Sequence, residues 1–574
     1  MAARLTHDSR WSLAFALLCT LTAAVIVFGV RWFGPHDLYE KDQPKTMAYT
    51  ADMVTHGRFA LPRDVIYQPA TKPPMYNWIG AAAVFVSGNW SEWTLKLPTI
   101  LGTVATAGVV CAVAKRRSGS VVALLAVGIF FSFGSDIRHG SVLRLSYLAR
   151  PDMLVTAFCT AAWFCFAIAV EKPSAKTAFT PAIVGWFCVT AAALTKGPLA
   201  ALPAIFGIVY ALLTPPPRSD LPLRQEGRFT AVGRLWLHVG LPIVVLGFGA
   251  WVFAAARQDW SHVRDVMWGA EVAGRLTETP EGFAKPPYYA VMWFVTKAQP
   301  WGGVALLAMA FVAWQPRLRR TAGPAALYLA IVLLGLSLPA AKRMDYLLPA
   351  YAPAAVLIAV AAADVVRHRI LGAFAVLAVP LLVAAVFVTT NHRPVDFAVP
   401  AIVALAAGVF LVIERKRPVP VAVLAIVPVV LVGLLGKAQL TKSLEAKGHW
   451  SDRAVAFTKA LRKAVRPEQS LVIINRGKHP LLTLLGRHQG SYLTPADLKN
   501  AEWVVLPEQP DLSPILLSDP LPEGFAEVEN RPLVRLGLYR NVPLDRLIAA
   551  QKACADWSPV ENPYHAAGTV YRDE

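Results

Sequence analysis

Apolar residues run along this chain in long continuous blocks rather than in the alternating faces of a soluble fold. Thirteen such blocks stand out, at about 11–30, 97–114, 121–134, 151–170, 178–195, 199–213, 236–255, 289–313, 324–340, 347–364, 370–389, 398–413 and 418–436. A membrane-spanning helix needs roughly 20 mostly apolar residues. The blocks therefore predict a mainly α-helical, polytopic membrane protein with about 13 transmembrane helices. The first block lacks a small-x-small cleavage pattern before Arg31, so it reads as a retained helix rather than a removable leader.

The polar connections are uneven. With the N-terminus set in the cytoplasm, the inner connections are residues 1–10, Lys115–Arg117, Lys172–Lys176, Pro215–Arg234, Arg317–Arg320, Arg367–Arg369 and Glu414–Arg417. They are denser in Lys and Arg than the outer loops, the bias expected of cytoplasmic loops. An odd number of spans then places the C-terminal region outside, in the periplasm or extracellular space. Two outer loops are long, 31–96 and 256–288, and long loops on a rigid scaffold are where function concentrates. Within the first, Met75–Val86 is apolar but too short to span, which predicts a helix lying in the interface.

From about residue 437 the pattern changes. No further span follows, and Ser470–Asn475 (SLVIIN), Ala501–Leu506 (AEWVVL) and Leu536–Arg540 (LGLYR) read as short strands, with helical spacing over 451–465. The expected organisation is a membrane domain over 1–436 followed by a small C-terminal α/β domain over 437–574 on the outer face.

Composition sharpens this picture. Of 574 residues, 55% are hydrophobic and only 16% charged, against about 25% in an average soluble domain. The formal charge of +19 would suggest nucleic acid in a soluble protein. Here the basic residues lie between apolar blocks, so no nucleic-acid partner is expected and the bilayer is the first partner. Five of the six cysteines fall inside apolar segments and no CxxC pair exists, which excludes a disulfide framework and a zinc ribbon. There is no Walker loop, GxSxG, HExxH or Rossmann fingerprint.

The candidate chemistry sits at the outer ends of the spans. Asp42 follows the first span and suits a general base or charge stabiliser, though an Asp before a helical stretch also serves as an N-cap. Lys72 precedes Pro73-Pro74, where a lysine can hold a phosphate or simply snorkel to lipid headgroups. Arg150-Pro151-Asp152 opens a later span. A carboxylate at a membrane boundary is costly unless paired or used, and the plain alternative is a surface pair of Asp152 with Arg150. Lys196 in Leu194-Thr195-Lys196-Gly197-Pro198 interrupts apolar sequence, facing a cavity or marking a tight turn between two helices. Lys342 and Arg343, in Ala341-Lys342-Arg343-Met344-Asp345-Tyr346, place positive charge against the general trend and point to anion binding. Glu271 and Arg275 are four apart, the spacing of a helical pair. Tyr288, Tyr289 and Trp301 fit an interfacial aromatic belt.

Taken in order, Asp42–Val54, Lys72-Pro73-Pro74, Arg150-x-Asp152-Met153-Leu154, Leu194–Pro198 and Lys342–Pro349 resemble the aminoarabinose (lipid A) transferase branch of the GT-C membrane glycosyltransferases, which is related to the protein O-mannosyltransferases. The resemblance spans residues 10–360. It implies a sugar carried on polyprenyl phosphate and used on the periplasmic or outer face of the inner (plasma) membrane, in cell-envelope modification. It carries the family's two acids onto Asp42 and Asp152, its lysines onto Lys72 and Lys196, its Tyr-Leu-Leu-Pro tyrosine onto Tyr346 and, more loosely, its second-loop acid and base onto Glu271 and Arg275. Gln43 and Thr46 stand where the family often has Glu and Tyr, and Asp345 where it has His. Thr71 and either Phe283 or Ala284 replace the Glu and His that hold a metal in the aminoarabinose enzyme, so no cofactor is expected, although a divalent cation is not excluded by the sequence. The expected activity is an inverting hexosyl- or pentosyltransferase. Asp42 and Asp152 would be catalytic; Lys72, Lys196, Lys342, Arg343, Tyr346, Glu271 and Arg275 would bind donor phosphate or sugar; and the acceptor would be a lipid, glycan or protein. The alternative is a transporter or flippase of lipid-linked sugars, which shares the spans and the cationic cavity but not the need for Asp42.

Overall fold

The computed structural model describes residues 10–33, 42–64, 68–134, 141–214, 228–277, 285–368, 428–433, 449–466, 469–474, 499–507, 509, 511–518, 521–522 and 533–555. The chain divides into two compact units: residues 1–34, 98–277 and 285–441 form one, and residues 35–97, 278–284 and 442–574 the other.

In chain order the helices are α1 (Arg10–Phe33), α2 (Asp42–His56), α3 (Met75–Ser87), α4 (Glu92–Ser118), α5 (Ser120–Phe131), the single turn α6 (Val142–Leu145), α7 (Asp152–Glu171), α8 (Ala175–Lys196), α9 (Ala201–Leu213), α10 (Arg228–Gly233), α11 (Leu237–Gln258), α12 (Gly274–Thr277), α13 (Tyr289–Lys297), α14 (Trp301–Trp314), α15 (Pro316–Arg319), α16 (Gly323–Ser337) and α17 (Leu348–His368). Five described segments are long and apolar enough to cross a membrane: Glu92–Ser118, Asp152–Glu171, Ala175–Leu213, Ala231–Gln258 and Met344–Val365. The chain is thus a mainly helical, multi-pass membrane protein. The apolar blocks at 370–389 and 398–413, and most of 418–436, lie outside the described residues.

Burial ranks the helices of the first unit. In the apolar windows of α7 and α17, 72% and 89% of the residues are buried, against 17% in that of α11. A helix apolar on every side belongs inside a larger assembly, and α7 and α17 are its centre, packed through Trp163, Phe166 and Tyr351. On α11, Val245, Leu246 and Phe253 stay exposed, as suits a face turned to lipid. The apolar block 289–313 is two helices rather than one. Pro300 removes a backbone donor at the break, and α14 folds back so closely that a Cβ on Gly302 would stand 1.9 Å from the Phe294 carbonyl oxygen.

The Ala175–Leu213 segment also turns back. Lys196 ends α8 beside Asp152 at the start of α7, while Tyr210 on α9 donates to Glu171 at the end of α7, 3.0 Å away. The bend lies at Gly197, whose φ of +59° is open to glycine at low cost, followed by a 3₁₀ turn over Gly197–Ala200. The bundle therefore has two polar ends. One holds Asp152 and Lys196. The other holds Glu171 with Arg116, Arg117 and Tyr210.

In the second unit, α2 and α3 pack together, with Asn77 donating to the Thr46 carbonyl (2.6 Å) and to Thr50 Oγ1 (3.0 Å). The apolar stretch from Met75 is helix α3, with Phe85 and Val86 exposed. Asp52, fully buried, accepts from the backbone N–H of Arg63 at 2.7 Å and pairs with His56 and Arg58. Among the described residues, the same unit contains α18 (His449–Ala464), α19 (Leu544–Ala555) and six strands: β1 (Leu471–Ile473), β2 (Trp503–Pro507), β3 (Leu516–Leu517), β4 (Leu521–Pro522), β5 (Leu533–Val534) and β6 (Leu536–Arg540). A mixed sheet runs β1-β2-β6-β3. β1 and β2 are parallel, and β6 is antiparallel to both of its neighbours; β4 and β5 form a separate ribbon. Val472, Ile474, Val504 and Leu506 alternate onto one face with Tyr539 and Leu547, while Leu471, Ile473, Trp503, Val505 and Leu538 between them are buried too, so both faces of the sheet are covered. Arg462 on α18 donates to the Trp90 carbonyl at 3.0 Å, tying the C-terminal elements to the first long loop.

Candidate active site

Four charged side chains converge at one end of the first unit, from three separate stretches of chain. Asp152 is the first residue of α7, where a carboxylate faces the positive end of the helix dipole. Lys196 is the last residue of α8, and its ammonium contacts Asp152 Oδ1. Arg150 lies two residues before α7. Its Nε is 3.1 Å from Asp152 Oδ2, and its Nη2 donates to Asp345 Oδ2 at 2.5 Å. Asp345 sits in the 3₁₀ turn Met344–Leu347 ahead of α17, its carboxylate also 4.0 Å from the Lys196 ammonium. The side chains of Asp152, Lys196, Arg150 and Asp345 are 3%, 9%, 11% and 12% exposed, so the group is nearly dry. Its two cations pair with its two anions, and Arg343 adds a further positive charge near Asp345; buried ions are tolerated when paired in this way. The Lys196 ammonium also lies 4.4 Å from the centre of the Tyr346 ring.

Local packing fixes this arrangement. Thr99 on α4 donates to the Leu148 carbonyl (2.6 Å) and is shared with that of Arg150 (3.2 Å), which pins the approach to α7. One turn along, a Cβ at Gly102 would come within 2.7 Å of backbone atoms of Met153 and Leu154, so α4 and α7 meet backbone to backbone. The loop before Asp345 is strapped to the second long loop by Lys285 N–H donating to the Ala340 carbonyl, 3.1 Å.

The other sequence candidates fall elsewhere. Lys342 donates to the carbonyls of Ser337 (2.9 Å) and Pro339 (2.5 Å), closing the C-terminal end of α16; burial pushes its ammonium below the usual lysine range. Arg343 is the exception: half-buried just before the 3₁₀ turn, it places its charge near the Asp345 carboxylate of the group. Glu271 is half-buried in a π-helix, His262–Ala273, whose wider turn does not present residues four apart as an α-helix does. Arg275 lies just beyond, in α12. Asp42 opens α2 and Lys72 is half-buried before α3, both in the second unit.

Two members of the group, Arg150 and Asp345, are not among the sequence candidates. Asp152 is, and its pairing with Arg150, the plain alternative at the sequence level, is present but buried rather than on the surface. Asp345 enters the sequence reading only as the residue standing in place of a His. The signal for it was an acid in an otherwise basic loop at a membrane boundary, where an unpaired charge is expensive.

Residues 71–245 match the family described as Dolichyl-phosphate-mannose-protein mannosyltransferase. The chain is 24% identical over 328 residues to an undecaprenyl phosphate-alpha-4-amino-4-deoxy-L-arabinose arabinosyl transferase of Proteus mirabilis; the match covers 56% of this chain and 55% of that relative's length. Among solved structures it resembles ArnT from Cupriavidus metallidurans bound to undecaprenyl phosphate, at 17% identity with a TM-score of 0.63, over 91% of this chain and 98% of that one. It also resembles the archaeal oligosaccharyltransferase AglB from Archaeoglobus fulgidus, at 12% identity and a TM-score of 0.51, over 87% of this chain and 69% of that one. The motif-based resemblance to membrane glycosyltransferases of the aminoarabinose transferase type is borne out, and the fold is that of ArnT.

Proposed function

We propose that this protein is an integral membrane glycosyltransferase that moves a sugar from a polyprenyl-phosphate donor to a lipid, glycan or protein acceptor at the outer face of the inner membrane. The observation that carries the reading is the buried Arg150–Asp152–Lys196–Asp345 group, set at one end of a bundle with the fold of a protein solved with undecaprenyl phosphate. A bundle of about 13 spans, with a cytoplasmic N-terminus and an outer α/β domain over 437–574, is part of the same proposal.

In this mechanism the acceptor oxygen attacks the anomeric carbon while the bond from that carbon to the phosphate oxygen breaks, inverting the configuration. The acceptor proton passes to Asp42 and the polyprenyl phosphate leaves as an anion. Arg150 and Lys196 stabilise that charge, an electrostatic contribution that grows where water is excluded; Lys72 keeps the phosphate-binding role that the resemblance implies. Asp152 holds Lys196 and Arg150 in place. Tyr346 supports Lys196 through its ring face, and Lys342 shapes the loop that carries Arg343 and Tyr346. Glu271 and Arg275 serve sugar and acceptor from the second loop.

The metal held in the aminoarabinose enzyme does not fit here. Thr71 offers a neutral hydroxyl where that site uses a carboxylate, and no group of three His, Cys, Asp or Glu suited to a metal ion occurs among the described residues.

The test compares lipid-linked sugars and envelope glycans by mass spectrometry in a deletion strain, a strain restored with the wild-type gene, and one restored with Asp42→Asn at equal membrane abundance. Donor accumulation and loss of one modification in both the deletion and the Asp42→Asn strain is the expected result. Full restoration by Asp42→Asn removes Asp42 from catalysis and favours transport of lipid-linked sugars instead.

A further inference from the structure

The proposed donor site presents a difficulty of charge. Its two buried cations, Arg150 and Lys196, are already matched by Asp152 and Asp345. A lipid phosphate entering this group adds one or two negative charges beside two carboxylates in a poorly hydrated site, where buried charge without a partner is strongly disfavoured. Displacing one carboxylate relieves that conflict.

The geometry separates the two. Asp152 is locked: it is the first residue of a buried helix, 2% exposed, in direct contact with the Lys196 ammonium and beside Arg150 Nε. Its Oδ2, buried, accepts no hydrogen bond, so the Arg150 contact at 3.1 Å is an ion pair without good alignment. Asp345 meets the same cations from a separate element. It accepts from Arg150 Nη2 and from its own backbone N–H, stands 4.0 Å from Lys196, outside hydrogen-bond reach, and has the Arg343 charge nearby. It is carried on a single 3₁₀ turn, whose hydrogen-bond geometry is poorer than that of the α-helix holding Asp152. Its carboxylate lies against the guanidinium and near the ammonium, as a phosphate oxygen would.

We propose that Asp345 is a built-in counter-ion that occupies the place of the donor phosphate in the empty enzyme and is displaced when the lipid phosphate binds. This rests on the donor reading given above. Asp345 then sets specificity. A lipid phosphate can replace the carboxylate charge for charge, whereas a neutral polyprenol cannot, and the carboxylate competes with the product phosphate for the same cations and so helps release it.

The experiment uses the full chain purified in lipid nanodiscs. Binding of a polyprenyl monophosphate and of the matching neutral polyprenol is followed by tryptophan fluorescence for the wild type, Asp345→Asn, Asp345→Glu and Lys196→Met. Asp345→Asn should bind the phosphate at least about tenfold more tightly, equivalent to about 1.4 kcal/mol, and the polyprenol no differently. Asp345→Glu, which restores the charge, should return towards wild-type affinity, an outcome that a merely structural role would not give. Should Asp345→Asn be lost from the membrane, Asp345→Ser removes the same charge and carries the same expectation. Equal or weaker phosphate binding by the charge-removing variant overturns the counter-ion role. If instead wild type and Lys196→Met bind phosphate and polyprenol alike, the donor-site reading itself fails.

Discussion

Asp152 and Lys196 offer the sharpest test of the buried group, because removing one charge and removing both should have opposite consequences. Asp152→Asn keeps the side-chain shape but leaves Arg150 and Lys196 facing only Asp345. At the 3.1 Å separation of Arg150 Nε from Asp152 Oδ2, a unit-charge interaction in a medium of effective dielectric 20 is about 5 kcal/mol. Removing one partner of a buried pair costs roughly 3 to 5 kcal/mol in stability. Lys196→Met alone should cost a similar amount, by stranding a carboxylate. The double variant restores neutrality, with one cation and one anion left in contact at Arg150 and Asp345, and should recover most of the loss. The assay is unfolding in mixed detergent micelles, with sodium dodecyl sulfate as denaturant and tryptophan fluorescence as readout, arranged as a double-mutant cycle. A coupling of about 2 kcal/mol or more is expected, within the range for residues in contact. Sugar transfer should stay lost in all three variants, since the double one restores charge balance but not the phosphate ligand. If the two single effects simply add to within about 0.5 kcal/mol, the group is not electrostatically coupled and its assignment as one unit fails.

Three further outcomes follow from the packing around this group. Gly102→Ala forces a methyl to 2.7 Å from the backbone at Met153 and Leu154; it should destabilise by about 1 to 3 kcal/mol and reduce transfer by displacing Asp152, read by the same unfolding assay and by turnover. Tyr346→Phe keeps the ring beneath Lys196 and should leave the donor KM near wild type, whereas Tyr346→Leu removes an attraction of about 0.5 to 2 kcal/mol and should raise KM; equal effects of the two exclude the ring–cation contact. At the opposite end, Glu171→Gln breaks pairing with Arg117 and Tyr210 and should lower stability by about 1 to 3 kcal/mol with kcat unchanged in properly folded protein; a selective loss of kcat would place chemistry at that end as well.

Much of the scaffold was legible because membrane helices announce themselves by length and composition alone. The blocks at 151–170, 178–195 and 347–364 correspond to α7, α8 and α17, and the Lys196-Gly197-Pro198 break is a reversal, as glycine and proline after an apolar run suggest. Boundaries failed where local chemistry overrode hydropathy. The block at 289–313 does not hold together across Pro300, and the one at 121–134 ends at Phe131, after which Ser132 turns to accept the Trp301 indole N–H at 2.8 Å. The 12-residue π-helix at His262–Ala273 leaves no mark in a pattern read at the period of an α-helix.

The site was legible residue by residue but not as a network. Asp152 and Lys196 each stood out as a charge beside a span, yet they are 44 positions apart, and Asp345 is a further 149 along. Only the packing of α7 against α8 and α17 brings their ends together, and nothing local encodes that meeting. Sequence can supply the sign of the missing partner, however. Lys342 and Arg343 drew attention as cations in a loop where cations are unusual, but the loop's single acid is the residue that reaches the shared group, while Lys342 turns to carbonyls of its own segment. A cation at a membrane boundary can snorkel along its flexible stem to water or satisfy itself on nearby carbonyls, whereas an aspartate has a single methylene and must find a cation where its backbone puts it. In a basic loop at the end of a span, the short-stemmed acid is therefore the better indicator of where opposite charges are buried, and Asp345 follows that rule.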